Sequence, residues 1–498
     1  MKRISNFTTR GFGFFIQIFC AIFIVLLMMF TITELAPVSE SRIADCSSRI
    51  EKLKISLIEA ENTVETIDTD EIRSDIKKYE DRIQMLQNRE KYYAISMLFL
   101  VCVALFGAFA ESFKTKFFLP PPDGSSDYSR FNYYPLISSP LSAICVLLAI
   151  GVTYRTIFSL TKNDFIIFII AIIFGFLAFF VYRQYPLIMA QLNAKKVGKH
   201  KVITVSDILY FLPAIVIIAL FGALFVFGDG DGAKLWISLP GGFQFQPGEF
   251  AKVLMIILFA TSYGKLWKAL VAIAVSGFSI LSFLVLKDMG GAVIIFAMLI
   301  VMFTLLLDNK MTFPLYEHKK LLIITLVISV ALFVVALALF PHARERITNL
   351  GSVMEDPEKQ QFKMIRAIIF GGLNGLGIAD STKIINIFAI DSDLALAGLT
   401  AIFGYGMLLI VLLCYALLII IPIRKNSLYR EFYFVSAQVS VVLFTQVLFN
   451  ALGAVDVLPF TGIVAPFISN GGSALISFCT MSGLVLATLY PAIKPLEV

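Results

Sequence analysis

The residues able to do chemistry fall in four short segments of an otherwise apolar chain. In "GAKLWISLPGGFQFQPGEFAK", from Gly232 to Lys252, Glu249 and Lys252 stand three apart on a helix that opens at Pro247, close enough to pair. In "LKDMGGA", Asp288 lies in a tight turn between two apolar stretches, where an N-cap is the plain alternative to a functional role. The stretch 341–395 carries Arg344, Arg346, Lys359, Lys363, Arg366 and Lys383, then Asp391 and Asp393 just before another apolar run. The fourth segment, "LPFTGIVAPFISNGGSALISF", interrupts apolar sequence with two prolines and three glycines. Such backbone is tolerated at membrane depth only where protein or a cavity covers it. Carboxylates suit proton transfer, and arginines and lysines suit phosphate, so together these segments describe a polar cleft. With only His200, His318 and His342, a histidine-built zinc site is not expected, and no Ser-His-Asp arrangement or Walker loop occurs.

What must position these residues is a membrane bundle. The 498 residues are 58% hydrophobic and 15% charged, with a mean hydropathy of +0.85. About 20 apolar residues cross a bilayer core. Such stretches occur near 11–34, 92–112, 134–157, 162–182, 205–227, 248–262, 265–286, 289–308, 320–340, 396–422, 431–452 and 472–492. The expected fold is therefore an all-α polytopic membrane protein of about twelve transmembrane helices. Lys2, Arg3 and Arg10, then Arg183, Lys195, Lys196, Lys199 and Lys201, then the basic groups near 265–268, 310–320 and 424–430 fall in alternate loops. The positive-inside rule puts both termini in the cytoplasm and the four chemical segments on the outer side. The net charge of +6 follows from those inner loops and gives no reason to invoke nucleic acid. Only Cys46 of six cysteines lies clearly outside the membrane, so no disulfide framework is expected.

Residues 36–92 break the apolar pattern. Ile43, Ile50, Leu57 and Val64 recur every seven residues, interleaved with Cys46, Leu53, Ala60 and Ile67, and the seam resumes at Ile76, Tyr79, Ile83 and Leu86. This predicts an extracytoplasmic coiled-coil hairpin between the first two spans, with arms reaching roughly 35–40 Å from the bilayer. It could serve as a rigid spacer or as a docking arm. Residues 113–133, with "LPPPDGSSDYSR", read as a cytoplasmic linker. The organisation expected is 1–112 as two spans with the hairpin, then 134–498 as a ten-helix core with a large outer loop at 341–395.

The core resembles the SEDS family (shape, elongation, division and sporulation), the group of RodA, FtsW and SpoVE. The resemblance is carried by Gly232, Ala233, Lys234, Trp236 and Ile237, then Gln246, Pro247, Glu249, Phe250, Ala251 and Lys252. Lys287 to Ala292 look like the family's "QPDLGTA" turn, and the C-terminal pattern runs from Asn450 through Leu458, Pro459, Thr461, Gly462, Pro466, Phe467, Ser469, Gly471, Gly472 and Ser473. In "DSDLALAGLTAIFG", Asp393 aligns with the family's essential aspartate and Gly404 with its glycine eleven residues on. Departures are specific. Asp391 stands where the family has histidine, Ser392 replaces threonine, and Ala401 and Ile402 replace paired glutamates. Lys363 and Arg366 take the places of glutamines.

The resemblance implies a peptidoglycan glycosyltransferase of the bacterial cytoplasmic membrane, polymerising lipid II beside a class B penicillin-binding protein. An outward-facing site has no supply of nucleotide sugars, so a lipid diphosphate is the fitting leaving group. Asp393 is then the candidate base for the acceptor hydroxyl, and Arg344, Lys363 and Arg366 the candidate phosphate ligands. Gln246, Glu249, Lys252, Asp288, Ser469 and Ser473 complete the expected substrate contacts. A divalent cation, Mg²⁺ or Mn²⁺, is a candidate cofactor that the sequence does not fix. Two rivals stand beside this reading: a catalytically silent scaffold that regulates a partner synthase, and a transporter of a lipid-linked sugar.

Overall fold

The computed structural model describes the backbone of residues 2–62, 69–112, 135–194, 196–197, 203–229, 233–262, 265–307, 318–426 and 430–489. The proposed linker 113–133, Gly232, and the seam positions Val64 and Ile67 lie outside these residues. The chain is an all-α, multi-pass membrane protein; ten of its described helices are long and apolar enough to cross a bilayer. Two of the twelve expected spans are missing from that number for separate reasons. The stretch 92–112 belongs to a helix whose side chains are described only as far as residue 105. The stretch 248–262 forms a helix at the expected place that is too short to enter that number and lies almost wholly buried among its neighbours. Its helix, Pro247–Ala260, has 14 residues and so rises only about 21 Å, short of a hydrocarbon core of about 30 Å.

Two long helices open the fold, α1 (Lys2–Asn62) and α2 (Thr69–Ser112). Arg49 Nη1 donates to Tyr79 Oη at 3.2 Å and Arg89 Nη2 donates to Ser39 Oγ at 2.5 Å, so the helices run antiparallel. Cys46, Ile50, Ile76 and Leu86 are buried between them, while most of their neighbours face outward. The pair packs on α3 (Pro135–Ser159), where Tyr93 Oη meets Thr153 Oγ1 at 3.1 Å and Cys20 Sγ donates to Ser142 O at 3.6 Å. Covered by these helices and by its other neighbours, α3 is almost wholly buried.

The remaining helices are α4 (Lys162–Arg183), α5 (Tyr185–Ala194), α6 (Val205–Leu209), α7 (Phe211–Phe227), α8 (Pro247–Ala260), α9 (Leu266–Val285), α10 (Met289–Leu307), α11 (Lys319–Leu339), α12 (Pro341–Thr348), α13 (Gln360–Gly371), α14 (Gly377–Asp380), α15 (Ala395–Asn426), α16 (Arg430–Ala454) and α17 (Gly472–Leu489). Two small antiparallel pairs interrupt them, β1 (Lys196–Val197) with β2 (Ile203–Thr204), and β3 (Ile237–Leu239) with β4 (Phe243–Phe245). Within the second pair, Pro240 leads into Gly241 and Gly242, both at positive φ, which fold the chain back sharply. The helix α15 breaks at Gly404 (φ 79°). A Cβ there would lie 2.1 Å from Leu373 O, so only glycine lets the turn after α13 close on α15.

Candidate active site

Asp393 sits two residues before α15, and its surroundings separate a capping role from a chemical one. A free helix N-terminus needs acceptors for its first N–H groups. Here Asn450 Oδ1, on α16, takes the Leu396 N–H at 3.1 Å. The same Asn450 donates through Nδ2 to Asp393 O and to Ile463 O, both at 2.8 Å. Cap duty at that N–H is thus met from another helix. No hydrogen bond or ion pair holds the Asp393 carboxylate among the described residues.

The backbone around it is fixed instead. Four consecutive carbonyls each accept a hydrogen bond from elsewhere in the fold. Ile390 O accepts from Tyr154 Oη of α3 at 2.6 Å, and Asp391 O from the Asn470 N–H at 2.7 Å. Ser392 O accepts from Ser469 Oγ at 2.6 Å, and Asp393 O from Asn450 as above. The Asp391 carboxylate is itself engaged, accepting from Asn470 Nδ2 at 3.2 Å. Ala389 stands at φ 58° and Phe467 at φ 65°, conformations costly for non-glycine residues that persist only where the surroundings over-determine them. Arg155, buried on α3, pins Phe467 O at 3.3 Å. The glycine- and proline-rich segment after α16 therefore cradles Asp393. Gly462 passes so near that a Cβ there would approach Asp393 Oδ2 to 3.4 Å.

The electrostatics of this pinned carboxyl are those of a proton acceptor near neutrality. Burial is the largest influence on Asp393 and raises its pKa to about 6. Arg346 pulls it down, while Asp391 and Asp288 push it up. Asp288 is likewise raised by burial, against a Gly291 N–H that donates to its Oδ1 at 2.7 Å; this is the N-cap of α10. Arg346 donates through Nη1 to Thr461 O at 3.1 Å, which ties α12 to the cradle.

The sequence-based candidates divide into three groups. Glu249 and Lys252 form an ion pair at 2.6 Å with both side chains 5% exposed, the mutual neutralisation that their spacing allows. Glu249 Oε2 nevertheless lacks a partner among the described residues, as does Thr461 Oγ1, and both atoms are buried near the Asp288 turn. Gln246, Ser469 and Ser473 serve the scaffold: Ser473 Oγ accepts the Gln246 N–H at 3.0 Å and donates to Gln244 O at 3.4 Å, joining α17 to β4.

The third group, Arg344, Lys363 and Arg366, lies on exposed surfaces. Arg344 is exposed on α12, turned away from the buried Ala343 and half-buried Arg346 side. Lys363 and Arg366 lie on the exposed face of α13, one paired with Glu358 at 2.8 Å and the other over the Phe370 ring at 5.7 Å. The face of α13 that packs inward is Met364 and Ala367. Arg346 is the cation acting on Asp393, and Tyr154, Arg155 and Asn470 are further residues that sequence reasoning did not select. Tyr154 and Arg155 did carry a signal, as polar side chains inside an apolar span. The expected divalent cation finds no protein-built cage, since among the described residues no three His, Cys, Asp or Glu side chains converge.

Residues 133–491 match the FtsW/RodA/SpoVE family of cell cycle proteins, from α3 through α17. The chain belongs to this family. The match leaves the first two helices outside it. A peptidoglycan glycosyltransferase RodA of Mycobacterium bovis is 27% identical over 304 residues, covering 54% of this chain and 60% of the relative. This chain's match thus spans less than two thirds of that relative's length. A probable peptidoglycan glycosyltransferase FtsW of Wigglesworthia glossinidia brevipalpis is 24% identical over 381 residues, 72% of this chain and 92% of the relative. Among solved structures, the Thermus thermophilus rod shape determining protein RodA has 18% identity and a TM-score of 0.42, covering 70% of this chain and 94% of that one.

Proposed function

We propose that this chain is a lipid II polymerase, joining lipid-linked disaccharides at the outer face of the bacterial cytoplasmic membrane for elongation, division or sporulation. The observation that carries the reading is Asp393: a carboxyl group in a segment whose four carbonyls, 390–393, are each held by a hydrogen bond, whose cap duty is taken by Asn450, and whose pKa of about 6 fits a base working near neutral pH. In this reading Asp393 takes the proton of the acceptor hydroxyl. The oxygen forms the new bond to the donor's anomeric carbon, and the lipid diphosphate leaves with the bonding electron pair. Arg346 is the cation best placed to receive that diphosphate, since a guanidinium can bind phosphate in bidentate fashion while still tied to Thr461 O. Glu249 Oε2 and Thr461 Oγ1 are buried polar atoms without a hydrogen-bond partner among the described residues, and are candidates for sugar contacts only if the site opens.

The alignment of basic loops supports cytoplasmic termini and an outward site. The partner in this reading is a class B penicillin-binding protein, for which the antiparallel pair α1–α2 offers a docking arm. A second reading, the silent scaffold, is favoured by one observation. Ala401 and Ile402, at positions of paired family glutamates, are fully buried and apolar, with Ala401 O accepting the Leu376 N–H at 2.8 Å. Incubating purified protein and its partner with fluorescent lipid II separates the two. Glycan chains longer than the starting disaccharide support the polymerase; binding of lipid II without chain growth supports the scaffold.

A further inference from the structure

Three consecutive side chains of α3 each leave the helix toward a different part of the molecule. Thr153 Oγ1 meets Tyr93 Oη of α2 at 3.1 Å, Tyr154 Oη donates to Ile390 O at 2.6 Å, and Arg155 Nη2 donates to Phe467 O at 3.3 Å. Successive residues of an α-helix point about 100° apart, so α3 turns one side to the α1–α2 pair and others to the Asp393 segment and its cradle. All four side chains are at most 4% exposed. These contacts leave no slack. A Cβ on Gly151 would lie 2.0 Å from Phe467 O, and one on Gly398 of α15 would lie 2.1 Å from Tyr154 Oη. A shift of α3 therefore carries Ile390 and Phe467 with it, because close-packed interiors transmit displacement rather than absorb it.

What seats α3 from its remaining side is the α1–α2 pair, which the family match at 133–491 leaves out. Anchoring to lipid needs only an apolar helix surface. Here the junction is polar. Tyr93 Oη meets Thr153, and Thr31 of α1 shares the same hydroxyl. Buried hydroxyls are costly unless bonded, so this pairing fixes one arrangement of α2 on α3. The neighbouring Tyr92 stacks on Phe165 of α4 at 5.3 Å. α14, on the chain that leads to Asp393, packs on α1.

We infer that the α1–α2 pair sets the position of the Asp393 segment through α3, with Tyr93 as the positioning residue. The pair is then part of the site's scaffold as well as an arm beside it. Its consequence for turnover rests on the reading of Asp393 as the base; its hold on residues 390–393 does not.

The test follows hydrogen exchange by mass spectrometry on the full chain in detergent, with lipid II polymerisation measured on the same samples. The reporting peptides span Ser392, Leu394 and Leu396, whose N–H groups are all bonded. Tyr93→Phe removes one hydroxyl of the junction, and Thr153→Val removes the other while keeping its shape. Each should speed exchange in those peptides by about threefold to tenfold, the range that one net hydrogen bond is worth. Each should also lower kcat with KM little changed. Thr153→Ser keeps the hydroxyl and should restore the slow exchange. Arg49→Gln, which breaks a contact farther along the same helix pair, should leave those peptides alone. Combining Tyr93→Phe with Tyr154→Phe should give less than the product of the single effects, since both act through α3. Unchanged exchange in Tyr93→Phe and Thr153→Val would overturn the inference, as would equal acceleration by Arg49→Gln or effects that multiply in full. Faster exchange in a protein whose Asp393→Asn variant still polymerises would uphold the positioning and remove only the base. Should Tyr93→Phe not be recovered folded, Thr153→Val decides.

Discussion

Asp207 and Asp393 lie toward opposite ends of one helical bundle, and the protein treats them in opposite ways. Asp207 has its charge satisfied, with Lys265, Lys268 and Thr204 all bonded to its carboxylate. Asp393 has its backbone satisfied and its carboxylate left without a bonded partner among the described residues. A partly buried acid that gains no ion pair costs stability, and the fold tolerates that where the group is used. The difference separates a structural charge from a working one more clearly than burial does. Glu249 stands between the two: one oxygen is paired with Lys252 and the other is unpaired.

The largest effect expected from breaking this contrast is at Asp393 itself. Asp393→Asn keeps the shape and the Asn450 clamp but cannot accept a proton, so chain growth should fall by roughly 10²–10⁴-fold. Lipid II binding and thermal stability should hardly move. Activity within about threefold of the unaltered protein would remove Asp393 from the chemistry.

The Glu249–Lys252 pair should respond in stability. Lys252→Met strands a buried carboxylate and is expected to cost about 3–5 kcal/mol. The double variant Glu249→Gln with Lys252→Met should recover much of that loss. Denaturation curves that simply add would show that the two residues do not act as a unit.

Asn450→Ala should act on position rather than chemistry. It leaves the Leu396 N–H, Asp393 O and Ile463 O without their shared partner. Loss of a buried hydrogen-bond set of this kind costs about 1–3 kcal/mol, and the turnover rate should drop more than substrate affinity does. An unchanged rate with merely lower stability would make Asn450 scaffold alone.

The same contrast explains what could be read in the chain before folding. Spans, the Glu249–Lys252 spacing and the Asp391–Asp393 segment are local features, and each is where the sequence put it. The cations were harder. Arg344 and Arg346 differ by two positions on the eight-residue α12, and only the inward packing of Ala343 decides which one turns toward Thr461. On α13, the inward Met364–Ala367 face is set by packing on α15, which lies about thirty residues on in the chain. The clamp on Asp393 joins residues 54 to 236 positions apart, and no local pattern announces it. The β3–β4 hairpin was legible in Pro240-Gly241-Gly242, a turn signal hidden in a segment dominated by its charged residues.

The most direct test of Asp393 as the working base is the pH dependence of lipid II polymerisation. The base is competent only when ionised, so the rate should fall as pH drops through about 6. Arg346 favours the ionised form, so Arg346→Gln should move the inflection to higher pH as well as weaken turnover. A profile that is flat from pH 5 to 8 under about the same conditions, or an inflection indifferent to Arg346→Gln, would contradict the account.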